Sequence, residues 1–101
     1  MPFQLNSPMH YTYILYSEKD RGWYTGATSD LRARIREHEE GRVKSTQWRQ
    51  PLLLVYHEGC LNREDAFRRE RYLKTGRGKR YLRQRLLEWR RSISLEKLER
   101  H

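Results

Sequence analysis

The chain changes hydrophobic rhythm several times, and each change marks an element. Tyr11 to Tyr16 (Tyr-Thr-Tyr-Ile-Leu-Tyr) is aromatic and β-branched, the composition of a strand. Lys19-Asp20-Arg21-Gly22 supplies turn residues, so Trp23 to Ala27 reads as the returning strand of a hairpin, with Gly26 where a side chain would not fit. Thr28, Ser29 or Asp30 then caps a helix from Leu31 to about Glu40, which Gly41 stops. Gly41 to Pro51 is polar and basic and is expected to be a loop. Leu52 to Glu58 is a continuous apolar run between Pro51 and Gly59, which suits a central strand covered on both faces.

Asn62 caps the next helix, with Asp65 in a variant of the capping box, and Ala66, Phe67, Glu70, Leu73 and Lys74 share one side of it. Thr75-Gly76-Arg77-Gly78 is expected to break that helix. Lys79 to about Arg91 forms another, whose Leu82, Leu86 and Trp89 stripe docks onto the sheet. Residues 1–10 read as a flexible lead-in and 92–101 as a tail, either a short helix or a frayed end. The order is β-β-α-β-α-α. It predicts an α+β fold in which a three-stranded, mainly antiparallel sheet is flanked by helices, with 11–91 as a single domain.

Two helices carry charge where their period demands burial. Leu31, Arg34, Ile35 and His38 fall at i, i+3, i+4 and i+7, and Glu70 stands inside the apolar stripe of the later helix. An ionised side chain left unpartnered in an apolar setting costs several kcal/mol, so these residues should meet one another, a metal or a ligand. Each also has a plainer reading: Arg34 can snorkel, His38 can be a hydrogen-bonded core residue, and Glu70 can pair with an arginine of its own basic helix. Tyr13 and Tyr24 fall in neighbouring positions on the hairpin, where simple cross-strand aromatic packing would also place them.

Charge narrows the partners. The 101 residues carry 22 Lys/Arg against 13 Asp/Glu, a formal +9, with a pI near 10.1. Twelve of those cations and four of the anions fall between Arg63 and Arg91, so this segment's net +8 supplies nearly the whole excess. Such a field draws polyanions, nucleic acid or an anionic membrane surface first, although a solubilising surface has the same look. Cys60 is the sole cysteine, which excludes an intramolecular disulfide and a Cys-rich zinc site and suits a reducing compartment. With no signal-like N-terminus and no run near the ~20 apolar residues that span a bilayer, a soluble cytoplasmic protein is expected, without membrane or disulfide-linked partners.

Four segments in order, Tyr11-Thr12-Tyr13-Ile14-Leu15, Trp23-Tyr24-Thr25-Gly26, Leu31 to His38 and Arg69-Glu70-Arg71, resemble the motif series of GIY-YIG nucleases. The similarity runs from about Tyr11 to Arg83. It is closest to short stand-alone bacterial members related to the nuclease module of the excinuclease C subunit. Arg34 lies ten residues and His38 fourteen beyond Tyr24, at family-like spacing. The resemblance implies a Mg²⁺- or Mn²⁺-dependent endonuclease that cuts the DNA backbone, with a place in DNA repair or recombination.

Carried over position by position, the resemblance makes Tyr13 and Tyr24 the two motif tyrosines and Gly26 the structural glycine closing the second motif. Arg34 would bind the scissile phosphate, His38 would be the helix histidine, and Glu70 the carboxylate that holds the metal. Those residue types suit the chemistry, because a cation and a metal neutralise the charge that grows on phosphate oxygens. His38 beside Tyr13 can accept the proton of a hydroxyl that is by itself a poor base. The sequence departs from the pattern at Tyr11-Thr12, where the name-giving glycine and isoleucine would stand. No asparagine follows Glu70; Arg85 lies near the position where some members use one.

DNA contact is expected from the basic helices, through Arg63, Arg68, Arg69 and Arg71 and then Lys74, Arg77, Lys79 and Arg80, all suited to phosphates without sequence readout. A second patch comprises Lys44, Ser45, Thr46, Trp48 and Arg49, where Trp48 is placed either to stack on a base or to anchor the loop. Two rival readings remain at this point: a non-catalytic nucleic-acid-binding module with a degenerate nuclease fold, and an RNA- or ribosome-associated basic protein.

Overall fold

The computed structural model describes residues 8–99. It makes the first aromatic run the middle of the sheet. β1 (His10–Ser17) pairs antiparallel with β2 (Trp23–Thr28) on one side and with β3 (Leu52–Cys60) on the other, giving the order β2-β1-β3. Among the described residues, four α-helices and a short 3₁₀ turn at Gln47–Arg49 complete the element order: α1 (Leu31–Glu39), α2 (Arg63–Leu73), α3 (Gly76–Arg85) and α4 (Leu87–Glu99). The three-stranded antiparallel α+β architecture is the one the sequence predicts. Residues 1–7 of the lead-in and 100–101 of the tail lie outside the described residues.

The central strand is β1, not the apolar run at Leu52 as expected. Thr12, Tyr13, Ile14 and Leu15 are all buried, whereas β3 is an edge strand on which Leu53 is 45% exposed. A register shift explains the misleading run: Leu15 pairs with Leu54 and Ile14 with Tyr56, so Val55 is an extra residue between them. Such a bulge reverses the alternation, so that apolar residues on either side of it serve different faces and read as continuous.

Asp30 is the cap of α1; its carboxylate accepts the Ala33 N–H at 3.1 Å, and Gly41, at φ +73°, follows the end of the helix. Asn62 Oδ1 accepts from the N–H groups of Glu64 and Asp65, at 2.8 and 3.4 Å, and starts α2. Thr12 Oγ1 donates to the Ala66 carbonyl at 3.0 Å, tying α2 to the central strand.

Residues divide into two compact units after Glu70, so the candidate residues from Tyr13 to Glu70 belong to the first. In the second, the expected helix over Lys79–Arg91 begins earlier, at Gly76, and is divided at Leu86. Thr75 caps it through the Gly78 N–H, so the expected breaker is an N-terminus. A Cβ on Gly78 would stand 2.5 Å from Leu73 Cα, so this close approach requires a bare residue. The tail continues helical to Glu99, and no described helix is long and apolar enough to cross a membrane.

Candidate active site

The site is built on the hairpin register. Tyr13 lies opposite Gly26 and Leu15 opposite Tyr24, so the two tyrosines are diagonal neighbours on one face, with ring centroids 6.3 Å apart. A Cβ at position 26 would stand 2.5 Å from Tyr13 Cζ and closer still to its oxygen. Only glycine leaves room for the phenol to lie across the neighbouring strand. The sequence expectation of a position without space for a side chain thus has a specific cause, the ring of Tyr13.

Helix α1 brings His38 down onto this pair. The His38 ring is fully buried, with Nε2 2.8 Å from the Tyr13 hydroxyl and its centroid 5.2 Å from that of Tyr24. Its other nitrogen, Nδ1, is 2.7 Å from Thr46 Oγ1. The hydrogen-bond directions follow from the neighbours. Arg34 donates to the Tyr13 oxygen, and the Thr46 hydroxyl donates to the Val43 carbonyl at 3.5 Å. These neighbours favour the arrangement in which Tyr13 gives its proton to Nε2 and Nδ1 carries the ring's proton and gives it to Thr46.

Burial sets the protonation states. It raises the Tyr13 hydroxyl to about 12, with the charges of Tyr24 and Glu70 acting in the same direction and Arg34 opposing them. Burial also lowers His38 to about 4, reinforced by the charge of Arg34. The resting pair is thus a neutral phenol donating to a neutral imidazole. Arg34 is half-buried. Burial works against its charge, but the hydrogen bond to Tyr13 and the charges of Tyr13, Glu37 and Tyr24 outweigh that effect and raise its pKa. It also meets Glu37 across one helical turn at 3.6 Å.

Glu70 is half-buried one turn beyond Ala66, and its charge is felt at Tyr13. The chemistry of this donor set suits one class of metal. Among the described residues no three His, Cys, Asp or Glu side chains gather as ligands, so a zinc-type cage is not built here. A single carboxylate at Glu70 would suit Mg²⁺ or Mn²⁺, because Mg²⁺ keeps several waters and needs few protein oxygens.

The outer residues sort into two groups. Lys44, Ser45 and Trp48 are exposed on the loop, Arg63 is exposed with its guanidinium 5.1 Å over the Phe67 ring, and Lys74, Arg77, Lys79 and Arg80 are exposed. Three expected DNA contacts have partners within the protein. Thr46 is fully buried against His38; Arg49 pairs with Asp20 at 2.7 Å; and Arg69 is bonded to Glu58, which also accepts from the Tyr56 hydroxyl at 3.0 Å. The guanidinium of Arg49, hydrogen-bonded to Asp20, holds that carboxyl down at about 2. Residue type and local charge did not separate these three from their neighbours, because each partner is distant in sequence.

Sequence reasoning missed Thr46 as a partner of His38 and missed His57. That histidine lies opposite Tyr13 on β3 and packs edge-on against Tyr11, with ring centroids 6.1 Å apart. It borders an open cleft of about 720 Å³ between α1 and the sheet, lined also by Tyr11, Arg32, Ile35 and Arg36. No spacing rule points to His57, which sits beyond the bulge.

Comparison with known proteins gives a consistent result. Residues 9–93 match the family model described as the GIY-YIG catalytic domain. The chain is 43% identical over 67 residues to UPF0213 protein SH2523 of Staphylococcus haemolyticus, an alignment covering 65% of this chain and 80% of that protein. It is 45% identical over 67 residues to UPF0213 protein CPE1444 of Clostridium perfringens, covering 65% of this chain and 71% of that one. The solution NMR structure of UPF0213 protein BH0048 from Bacillus halodurans is 39% identical, covers 73% of this chain and 81% of that chain, and superposes with a TM-score of 0.47.

Proposed function

The chain belongs to the GIY-YIG catalytic-domain family, a nuclease family, and from that premise we propose that it is a divalent-metal-dependent endonuclease that hydrolyses DNA phosphodiester bonds. One observation carries the reading: the Tyr13 hydroxyl is held between Arg34 and His38 Nε2, beside Tyr24 and within the field of Glu70. Simple binding of DNA gives no reason to set a carboxylate and a buried phenol-imidazole pair next to a phosphate-seeking arginine.

Arg34 binds the scissile phosphate and offsets the charge that develops on its oxygens. Tyr13 takes a proton from the attacking water while it passes its own to His38 Nε2, and Thr46 holds the resulting imidazolium through Nδ1–H. The resting values, about 12 and about 4, make that transfer uphill. A phosphate that occupies Arg34 makes His38 a better acceptor, because it cancels the charge that helps to hold His38 low, but it also removes the charge that holds Tyr13 down. Tyr24 lines the same pocket and orients the water or the phosphate. A divalent ion held by Glu70 supplies, when bound, further charge stabilisation at the phosphate oxygens. Exposed Arg63, Lys74, Arg77, Lys79 and Arg80, with Lys44 and Ser45, engage the DNA backbone.

The test is conversion of supercoiled plasmid and of branched DNA to nicked products by the purified chain with Mg²⁺ or Mn²⁺ and with EDTA. Wild type should cut only with metal, and Glu70→Ala should not cut while keeping its fold and its affinity for DNA. Cutting that survives in Glu70→Ala, or the absence of cutting on every DNA form, would remove the proposal.

A further inference from the structure

Trp48 is 74% exposed, yet it belongs to a loop tethered at several points. Thr46 is locked to His38, Arg49 to Asp20, and Ser17 Oγ donates to the Arg49 carbonyl at 2.6 Å. Gln50 Nε2 donates to the carbonyls of His38 at 3.1 Å and Glu39 at 2.6 Å. With its amide turned to satisfy both ends, Gln47 accepts the indole N–H at 3.0 Å and donates to the Gly41 carbonyl at 3.2 Å. The backbone on both sides of Trp48 is thus fixed, and the single polar atom of the ring has its partner inside the loop.

A fixed loop that holds a large apolar ring in water forgoes a burial worth about 2 kcal/mol or more. Anchoring does not account for it, because the anchors are Thr46, Arg49 and Gln50. From these observations we infer that Trp48 is a stacking platform for an unpaired nucleobase, and that it directs cutting to DNA with a displaced or single-stranded base beside the scissile phosphate. The inference deepens the nuclease reading and rests on it.

Three features select a base as the occupant. Exposed Lys44 and Ser45 in the same loop suit a phosphate-bearing strand, on a chain whose net charge is +9. An indole whose N–H is already bonded offers stacking without hydrogen-bond readout, and stacking is indifferent to base identity. Trp48 is also only two residues from Thr46, so their Cα atoms lie within about 7 Å, and Thr46 touches His38. The loop that presents this ring is therefore the loop that holds His38. In an intact duplex both faces of a base are covered by its neighbours, so only an unpaired base can use the platform without an unstacking cost.

Binding is measured in EDTA, by fluorescence polarisation, on a fully paired duplex and on the same duplex with a splayed end, for wild type, Trp48→Ala and Trp48→Phe. Wild type should prefer the splayed form. Trp48→Ala should reduce that preference by about 5- to 100-fold, and Trp48→Phe should keep most of it, with all three melting alike because the ring is exposed. An equal loss of affinity for both forms, or an unchanged preference in Trp48→Ala, overturns the inference. Cleavage with Mg²⁺ is scored separately. If wild type cuts neither DNA, the nuclease reading fails, while the binding ratio still decides what Trp48 does.

Discussion

Thr46 Oγ1 stands 2.7 Å from Nδ1 of His38, and this contact decides which nitrogen faces Tyr13. With Nδ1–H directed at Thr46, the lone pair of Nε2 is left to accept from the phenol. Thr46→Val keeps the volume and removes the acceptor, leaving a buried N–H unsatisfied at a cost of about 1–3 kcal/mol. The ring can escape that cost by moving its proton to Nε2, and then it no longer accepts from Tyr13. The turnover rate of Thr46→Val on DNA should therefore fall by about 100-fold or more, with little change in KM, and Thr46→Ser should recover most of it. A Thr46→Val protein with wild-type turnover would show that the contact does not set the tautomer.

His38 should titrate far below an ordinary histidine. Its folded value is about 4, against about 6.5 in an unfolded chain. Between those values the unfolded chain holds a proton that the folded one does not. This residue's contribution to stability is therefore present above pH 6.5 and is lost as pH falls towards 4, by roughly 3 kcal/mol in all. NMR titration of the imidazole in the free protein should show no step near 6.5. Adding DNA in EDTA should move the titration upward, because phosphate at Arg34 cancels one cause of the depression. An upward move that persists in Arg34→Ala would assign the effect to another group.

The legible and illegible parts of this protein differ in the range of the interactions that make them. His38 and Arg34 stood out because a helix of nine residues has so few inward positions that a charged residue in one of them is conspicuous. Asp30, Gly41 and the hairpin were readable because caps and turns are local chemistry. The identity of the central strand was not readable, because one extra residue at Val55 disguised an edge strand as a buried one. Thr46, Arg49 and Arg69 resembled surface contacts because their partners, His38, Asp20 and Glu58, are 8, 29 and 11 residues away, and no periodicity connects them. Thr75 and its glycines contained both a stop and a start signal, and the close approach to Leu73 that favours the start is a tertiary fact.

Gly26→Ala should damage the site without touching a charged residue. The added methyl meets the Tyr13 ring, which is 1% exposed and has no open side to move towards. Overpacking of this kind costs about 1–3 kcal/mol. The phenol would also be displaced from Nε2 of His38, so activity should fall further than the loss of folded protein explains. Thermal melts and initial nicking rates on the same samples separate the two effects. A variant that melts lower but cuts at the wild-type rate per folded molecule would show that the Tyr13–His38 distance is not critical.

The basic residues should divide by experiment as they divide by structure. Arg77, Lys79 and Arg80 are exposed on α3, so each that meets a phosphate releases counterions and contributes about one unit to the slope of log affinity against log salt. Replacing the three by Ala should flatten that slope by about two to three units and leave the melting temperature nearly unchanged. Arg69 is bonded to Glu58 on β3, and its loss leaves a half-buried carboxylate short of a partner. Arg69→Ala should therefore lower the melting temperature and leave the salt slope of the folded protein nearly as it was. If Arg69→Ala flattened the slope as much as Arg77→Ala, the Glu58 pair would be a resting arrangement that DNA displaces. Polarisation binding curves at several salt concentrations, with a melt of each variant, distinguish the two.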